Sequence, residues 1–166
     1  MTLCIAWKTK DTIHIASDSR LSRGDKYVDI GIKVLAIPVK ITLPAEKGAQ
    51  ETVVYNHSIG MCFAGATVTG LLVKESMAEV LQNLQGVPGY SDFSFAACAS
   101  QAYDVYQGTI DSISSSFGPA AADFDCLLAG YCPKNKKLEA YLLSCLVSNG
   151  TAVTSMTEVL VSQDYL

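Results

Sequence analysis

A chain of 166 residues is long enough for one domain with a substantial core. Hydrophobic residues make up 49% and charged residues 17%, which excludes intrinsic disorder, because a disordered chain lacks the apolar surface to offset its conformational entropy. A net charge of −4 argues against nucleic-acid binding, which needs a basic stripe to neutralise phosphates.

The apolar residues are dispersed and never reach the run of roughly 18 that spans a bilayer. No basic segment precedes the first apolar stretch, since Lys8 and Lys10 follow it. The expectation is a soluble, cytoplasmic protein without membrane contact. Six cysteines, at positions 4, 62, 98, 126, 132 and 145, lie mostly inside apolar segments and show no Cys-x-x-Cys spacing. They read as buried thiols in a reducing compartment. With His14 and His57 the only histidines, no metal site or other cofactor is expected.

In chain order, residues 2–8 and 11–18 are strand-like, with Leu3, Ile5 and Trp7, then Ile13 and Ile15, alternating with other residues. A two-residue turn at Thr9 and Lys10 would set Lys8 against Asp11 and Thr2 against Ser17, beside Asp18. A longer turn would shift that register by one or two places. Residues 19–31, polar and carrying Gly24 and Gly31, read as a loop, and a third strand is predicted over 32–40. The stretch 42–51, with Pro44 and Gly48, reads as an excursion before strands at 52–56 and 58–64.

Two helices follow. The first is predicted from Thr67 to Gln85, with Val68, Leu71, Leu72, Ala78, Leu81 and Leu84 on one side, stopped by Gly86 and Pro88. The second starts near Ser91 or Asp92, either of which can cap it. Its apolar stripe is Ala96, Ala99, Tyr103, Tyr106, Ile110, Ile113 and Phe117, packed on a sheet, and Gly118 and Pro119 end it. Strands are then predicted over 124–131, 138–145 and 151–155. Lys134, Lys136 and Lys137 flank Asn135 in a solvated hairpin tip. No repeat or linker interrupts residues 1–166, so the order of strands, two helices and strands predicts one α+β domain with helices stacked on an antiparallel sheet.

Thr2 opens the first strand, Ile15-Ala16-Ser17-Asp18-Ser19-Arg20 closes the second, and Lys33 enters the third. Ala64-Gly65-Ala66 precedes the first helix, and Cys126-Leu127-Leu128-Ala129-Gly130-Tyr131 follows the helical pair. In this order the segments resemble the proteasome β-subunit family and its bacterial relatives, among them the peptidase of the ATP-dependent protease. The resemblance implies an N-terminal nucleophile (Ntn) hydrolase fold, an αββα sandwich of antiparallel sheets, and a threonine peptidase. It assigns Thr2 as nucleophile and base, Lys33 as electrostatic tuner, Asp18 as the partner that orients Lys33, and Gly65 as the oxyanion-hole glycine. It also implies a peptide or unfolded-protein substrate, a homo-oligomeric ring, and an ATPase partner in some members.

The chemistry supplies a reason for each residue. A threonine hydroxyl needs a base, and the α-amine of an N-terminal threonine, with an ordinary pKa of about 7.7–8.0, is far more often neutral than a lysine. A neighbouring ammonium lowers that pKa further. A glycine lets backbone donors approach the developing oxyanion. Each residue also has a plainer reading: Thr2 as a β-favouring first residue, Asp18 to Arg20 as a loop entrance with a surface ion pair, Lys33 as a snorkelling edge lysine, and Gly65 as a turn into the helix.

Activity requires removal of Met1, the normal outcome before a residue as small as threonine. A retained Met1 turns the base into an amide and favours a catalytically silent scaffold or assembly subunit, as proteasome α-subunits are. Family members also continue with a Gly-Ser-Gly-like segment, two more helices and final strands, carrying a serine and an Asp/Ser pair to which nothing here corresponds. The expectation is therefore a sandwich with an incomplete C-terminal part, either a fragment or a shortened member, and a shortened member would expose an apolar sheet face that needs a partner. Lys33 and Gly65 are 32 positions apart, longer than the family usually needs, and the excess at 40–57 suggests an extended hairpin. A small-molecule binding domain finds no phosphate loop, acidic cluster or aromatic cage.

Overall fold

The computed structural model describes residues 3–23, 26–45, 50–87, 89 and 92–159. Met1, Thr2, Gly24, Gly48, Pro88, Ser91 and Leu166 lie outside the described residues. The fold is α+β: a curled six-stranded sheet with two helices on one face and a β-hairpin over the other.

That hairpin is β1 (Cys4–Lys8) and β2 (Ile13–Ser17), paired antiparallel with Cys4 opposite Ser17 and Lys8 opposite Ile13. The connection is longer than two residues: the Thr9 N–H and hydroxyl both donate to the Thr12 carbonyl, at 2.8 and 3.2 Å. The register therefore sits two places from that of a two-residue turn. An even shift keeps every side chain on its side of the hairpin. Cys4 and Ala6, with Ile13 and Ile15, face the large sheet, whereas Leu3, Ile5 and Trp7 face outward. The Ile15 side chain lies 2.6 Å from where a Cβ on Gly60 would stand, so the hairpin rests close on the sheet. Trp7 stacks instead on the outward His14, ring centroids 4.9 Å apart.

Residues 19–31, expected as a loop, contain a second small hairpin, β3 (Leu21–Arg23) with β4 (Lys26–Val28). Its base is tied by Gly31 N–H to the Ser19 carbonyl (2.7 Å), the Ser19 hydroxyl to the Asp29 carbonyl (2.8 Å), and Arg20 Nε to Asp29 Oδ1 (2.7 Å).

β5 (Val34–Leu43) and β6 (Thr52–Gly65) form the extended hairpin that the long spacing before Gly65 suggests. The two strands expected at 52–56 and 58–64 are one, because His57 pairs with Val39 without breaking the ladder. Strand order in the sheet is β10-β9-β8-β6-β5-β7, where β7 (Leu84–Gln85) adds in parallel to β5 and β8 (Phe124–Cys132), β9 (Lys137–Ser148) and β10 (Thr151–Glu158) run antiparallel.

The first helix, α1 (Thr67–Leu81), ends four residues before the predicted Gln85. Leu84 and Gln85 are drawn onto the edge of β5, and Gly86 N–H bonds the Thr42 carbonyl at 2.8 Å. α1 buries Thr69, Gly70, Val73, Met77, Ala78 and Leu81, leaving the predicted Val68, Leu71 and Leu72 exposed. Gly70 decides this: an added Cβ would stand 2.7–2.9 Å from ring atoms of Phe124 and Phe63, so this face alone can approach the sheet.

The second helix, α2 (Phe95–Phe117), starts later than Asp92. Ser94 caps it, its hydroxyl accepting from Ala97 N–H at 3.2 Å, while Asp92 accepts from Ser94 N–H and from Lys134. The buried stripe runs Phe95, Cys98, Ala99, Ala102, Tyr106, Ile110 and Ile113. Ala96 and Tyr103 are half-buried and Phe117 is exposed. Gly118, at φ 87°, ends the helix, and a single 3-10 turn at Pro119–Ala122 leads into β8. The core lies between the helices and Ile37, Met61, Phe63, Phe124, Leu128 and Leu143 of the sheet. The lysine tip is a turn: Lys136 has φ 52°, and Lys134 and Lys137 pair with Asp92 and Glu139. Among the described residues no helix is long and apolar enough to cross a membrane.

Candidate active site

Three chain segments meet at Asp18. The β1–β2 pairing continues one residue beyond β2, with Asp18 N–H donating to the Leu3 carbonyl at 3.1 Å. The Asp18 carboxylate then turns back and accepts the Leu3 N–H on Oδ1 at 2.9 Å. Leu3 is the residue next to Thr2 in the chain. Thr2 itself lies outside the described residues.

Lys33 arrives from the start of β5, where its carbonyl accepts the Phe63 N–H at 3.3 Å. Its ammonium lies 3.3 Å from Asp18 Oδ1 and 3.2 Å from Oδ2. The Lys33 side chain is only 2% exposed, against 32% for Asp18. A buried ammonium is costly unless paired and hydrogen-bonded, so the carboxylate is what permits a lysine here. This excludes the reading of Lys33 as a snorkelling edge residue. Asp18 Oδ2 also accepts Arg20 N–H at 3.2 Å.

The Leu3 N–H above all, with Lys33 and the Arg20 N–H, holds the Asp18 carboxyl below its ordinary pKa against the opposing effect of burial. The native state thus favours the ionised form. The linked stability is present above the ordinary carboxyl pKa and is lost as pH falls through the lowered one. Asp18→Asn is expected to be less stable than the parent at pH 7, with the difference shrinking toward pH 2. Urea titrations at the two pH values check this, and a difference that grows in acid would contradict it.

Gly65 ends β6, two residues beyond the Phe63 bonded to Lys33. Its φ of +105° suits glycine, and a Cβ there would stand 2.3 Å from the Asp123 carbonyl oxygen and 2.9 Å from Phe124 Cα. The next residue, Ala66, donates its N–H to that same carbonyl at 3.1 Å and stands at the N-cap of α1. Steric crowding by β8 therefore gives Gly65 a structural reason of its own.

Some neighbours of the site carried no signal in the sequence. The Cys4 thiol donates to the Phe63 carbonyl at 3.0 Å, linking β1 to β6 beside the Lys33 contact. Burial, with the nearby Cys4, pushes the Cys62 thiol up to about 12. Asp29, eleven residues beyond Asp18, braces Arg20 through an ion pair that could be recognised only once the β3–β4 hairpin had formed. Among the described residues no group of three or more His, Cys, Asp or Glu side chains is placed to hold a metal ion. No protein-family model matches the chain, and no curated protein matches it. The functional reading therefore rests on residues and geometry.

Proposed function

We propose that the protein is a threonine-type N-terminal nucleophile hydrolase that cleaves peptide bonds, of the proteasome β-subunit type. The observation that carries this reading is the Asp18 carboxylate, which binds the buried Lys33 ammonium and the Leu3 N–H at once. An ammonium held beside the first residues of β1 is the electrostatic device that a terminal α-amine needs in order to act as a base near neutral pH. The helical layer, the six-stranded sheet and the hairpin on its far face support assignment to the αββα sandwich class.

In this mechanism Met1 is first removed. The Thr2 α-amine takes the proton from Oγ as Oγ attacks the scissile carbonyl, and the C–O bond forms. The tetrahedral oxyanion is stabilised by backbone N–H at Gly65. Collapse breaks the C–N bond, the α-ammonium passes its proton to the departing amine, and an ester to Thr2 remains. Water, deprotonated by the same amine, hydrolyses that ester and restores the hydroxyl. Outward-facing Ile5 and Trp7, with the exposed Ile30 and Ile32, support assembly into a larger oligomer such as a ring. An unfoldase ATPase would then supply extended substrate.

The test is intact mass followed by covalent labelling. The purified protein should lack the mass of one methionine residue. A peptide epoxyketone should add once, on Thr2, and not at all in Thr2→Ala. A processed protein that resists the reagent would be a silent scaffold subunit instead.

A further inference from the structure

Two thiols meet where the β1–β2 hairpin crosses the large sheet. Along β6, Ile59, Met61 and Phe63 belong to the core beneath the helices. Gly60 meets Ile15 of the hairpin, so by strand alternation Cys62 points toward the hairpin as well. The Cys4 thiol of β1 donates to the carbonyl of Phe63, the residue next to Cys62, at 3.0 Å. Both cysteines line one open cleft of about 400 Å³, with Leu3, Ala64 and Leu127 among its other walls.

Sheets that pack face to face usually stand about 10 Å apart, whereas a cystine needs Cα atoms about 4.4–6.8 Å apart. The hairpin is seated closer than the usual spacing, because Ile15 occupies the place of a Cβ on Gly60, two residues from Cys62. The two thiols differ in access. Cys4 is half-buried, while Cys62 is 0% exposed. Burial and then the neighbouring Cys4 push the Cys62 thiol up to about 12, so it keeps its proton at neutral pH. An oxidant entering the cleft therefore meets Cys4 first, with a second sulfur behind it. That is the arrangement of an attacked and a resolving cysteine. Cys126 also lines the cleft, but it belongs to the core beneath the helices and is the competing partner to be tested.

We infer that Cys4 and Cys62 are a peroxide-responsive thiol pair whose oxidation straps the β1–β2 hairpin to β6. The Cys4 thiolate attacks one oxygen of hydrogen peroxide, the O–O bond breaks, and hydroxide leaves and is protonated to water. Cys4 is then a sulfenic acid. The Cys62 sulfur attacks the Cys4 sulfur, the S–S bond forms and the S–O bond breaks. The Cys62 proton goes to the departing oxygen as a second water. Two thiols are thus oxidised by two electrons and one peroxide is reduced. The strap fixes β1 beside the Leu3–Asp18 hydrogen bonds, and it forms whether or not Thr2 acts as a nucleophile.

The experiment treats the full chain, natively folded and reduced, with graded hydrogen peroxide. Intact mass should fall by two hydrogens, and digestion without reductant should release the Cys4 and Cys62 peptides as one linked species. The strap should raise Tm by about 5–15 °C, and dithiothreitol should reverse both changes. Cys62→Ala should stop at the Cys4 sulfenic acid, trapped as a dimedone adduct, whereas Cys126→Ala should still form the link. The linked-peptide result needs no variant, so it decides the question even where a substitution fails to fold. A Cys4–Cys126 link, a disulfide between two chains through Cys4, Cys4 oxidised to sulfinic acid with Cys62 still a thiol, or Cys4 left unoxidised would each overturn the pairing.

Discussion

Lys33→Met should remove covalent labelling of Thr2 and lower peptide hydrolysis by about 10²–10⁴-fold, the usual contribution of a positioned general base, while leaving a folded protein. Methionine fills much of the volume of the lysine stem, and removing one partner of an ion pair is costly chiefly when the charge left behind is itself buried. The carboxylate left behind is tolerable because Asp18 is partly exposed and still accepts the Leu3 and Arg20 N–H groups. The opposite truncation is not equivalent. Asp18→Ala takes the carboxylate away from an ammonium whose side chain is 2% exposed, so it should destabilise more than Lys33→Met. Paired urea denaturations establish the order, and activity on processed protein measures the catalytic loss. Full activity in Lys33→Met, with Met1 removed, would eliminate the electrostatic role.

Gly65→Ala should be the most destabilising single-methyl addition near the site. A non-glycine residue held in a sparsely populated backbone region costs about 1–3 kcal/mol, and forcing a methyl against packed structure costs about as much again. Both apply at φ +105° with the Asp123 carbonyl oxygen 2.3 Å from the new Cβ. The sum of about 2–6 kcal/mol corresponds to a fall in Tm of roughly 5–20 °C for a chain of this length. Differential scanning calorimetry reads it directly. A variant with unchanged Tm would show that β6 can shift away from β8 at little expense. A variant that folds at lower temperature yet no longer forms the covalent adduct would place the oxyanion donor at this turn.

The candidate site was legible in the sequence to the extent that its chemistry is carried by rare residue types in apolar surroundings. Asp18 closing an alternating strand and Lys33 opening another are conspicuous because charges in such places need partners, and the fold makes them partners. The tie from Asp18 back to Leu3 was not legible, since it depends on the length of the β1–β2 turn. A four-residue connection, closed on the Thr12 carbonyl, slid the register by two and brought Leu3 opposite Asp18.

Alternation and periodicity along the chain were enough to determine that strands precede and follow a helical pair, and that glycine and proline end the second helix, because backbone geometry imposes those patterns locally. Which face of each element is buried was decided by tertiary structure alone. Leu3, Ile5 and Trp7 are the larger residues of β1 yet face outward, since the hairpin lies close against Gly60 through Ile15 and β1 turns Cys4 and Ala6 toward the sheet. Val68, Leu71 and Leu72 are a plausible core stripe, yet Gly70 docks the other face of α1 against Phe63 and Phe124. Close approach between layers outweighs side-chain size, because steric exclusion is steep whereas the gain from burying one more apolar side chain is only about 1.5–3 kcal/mol.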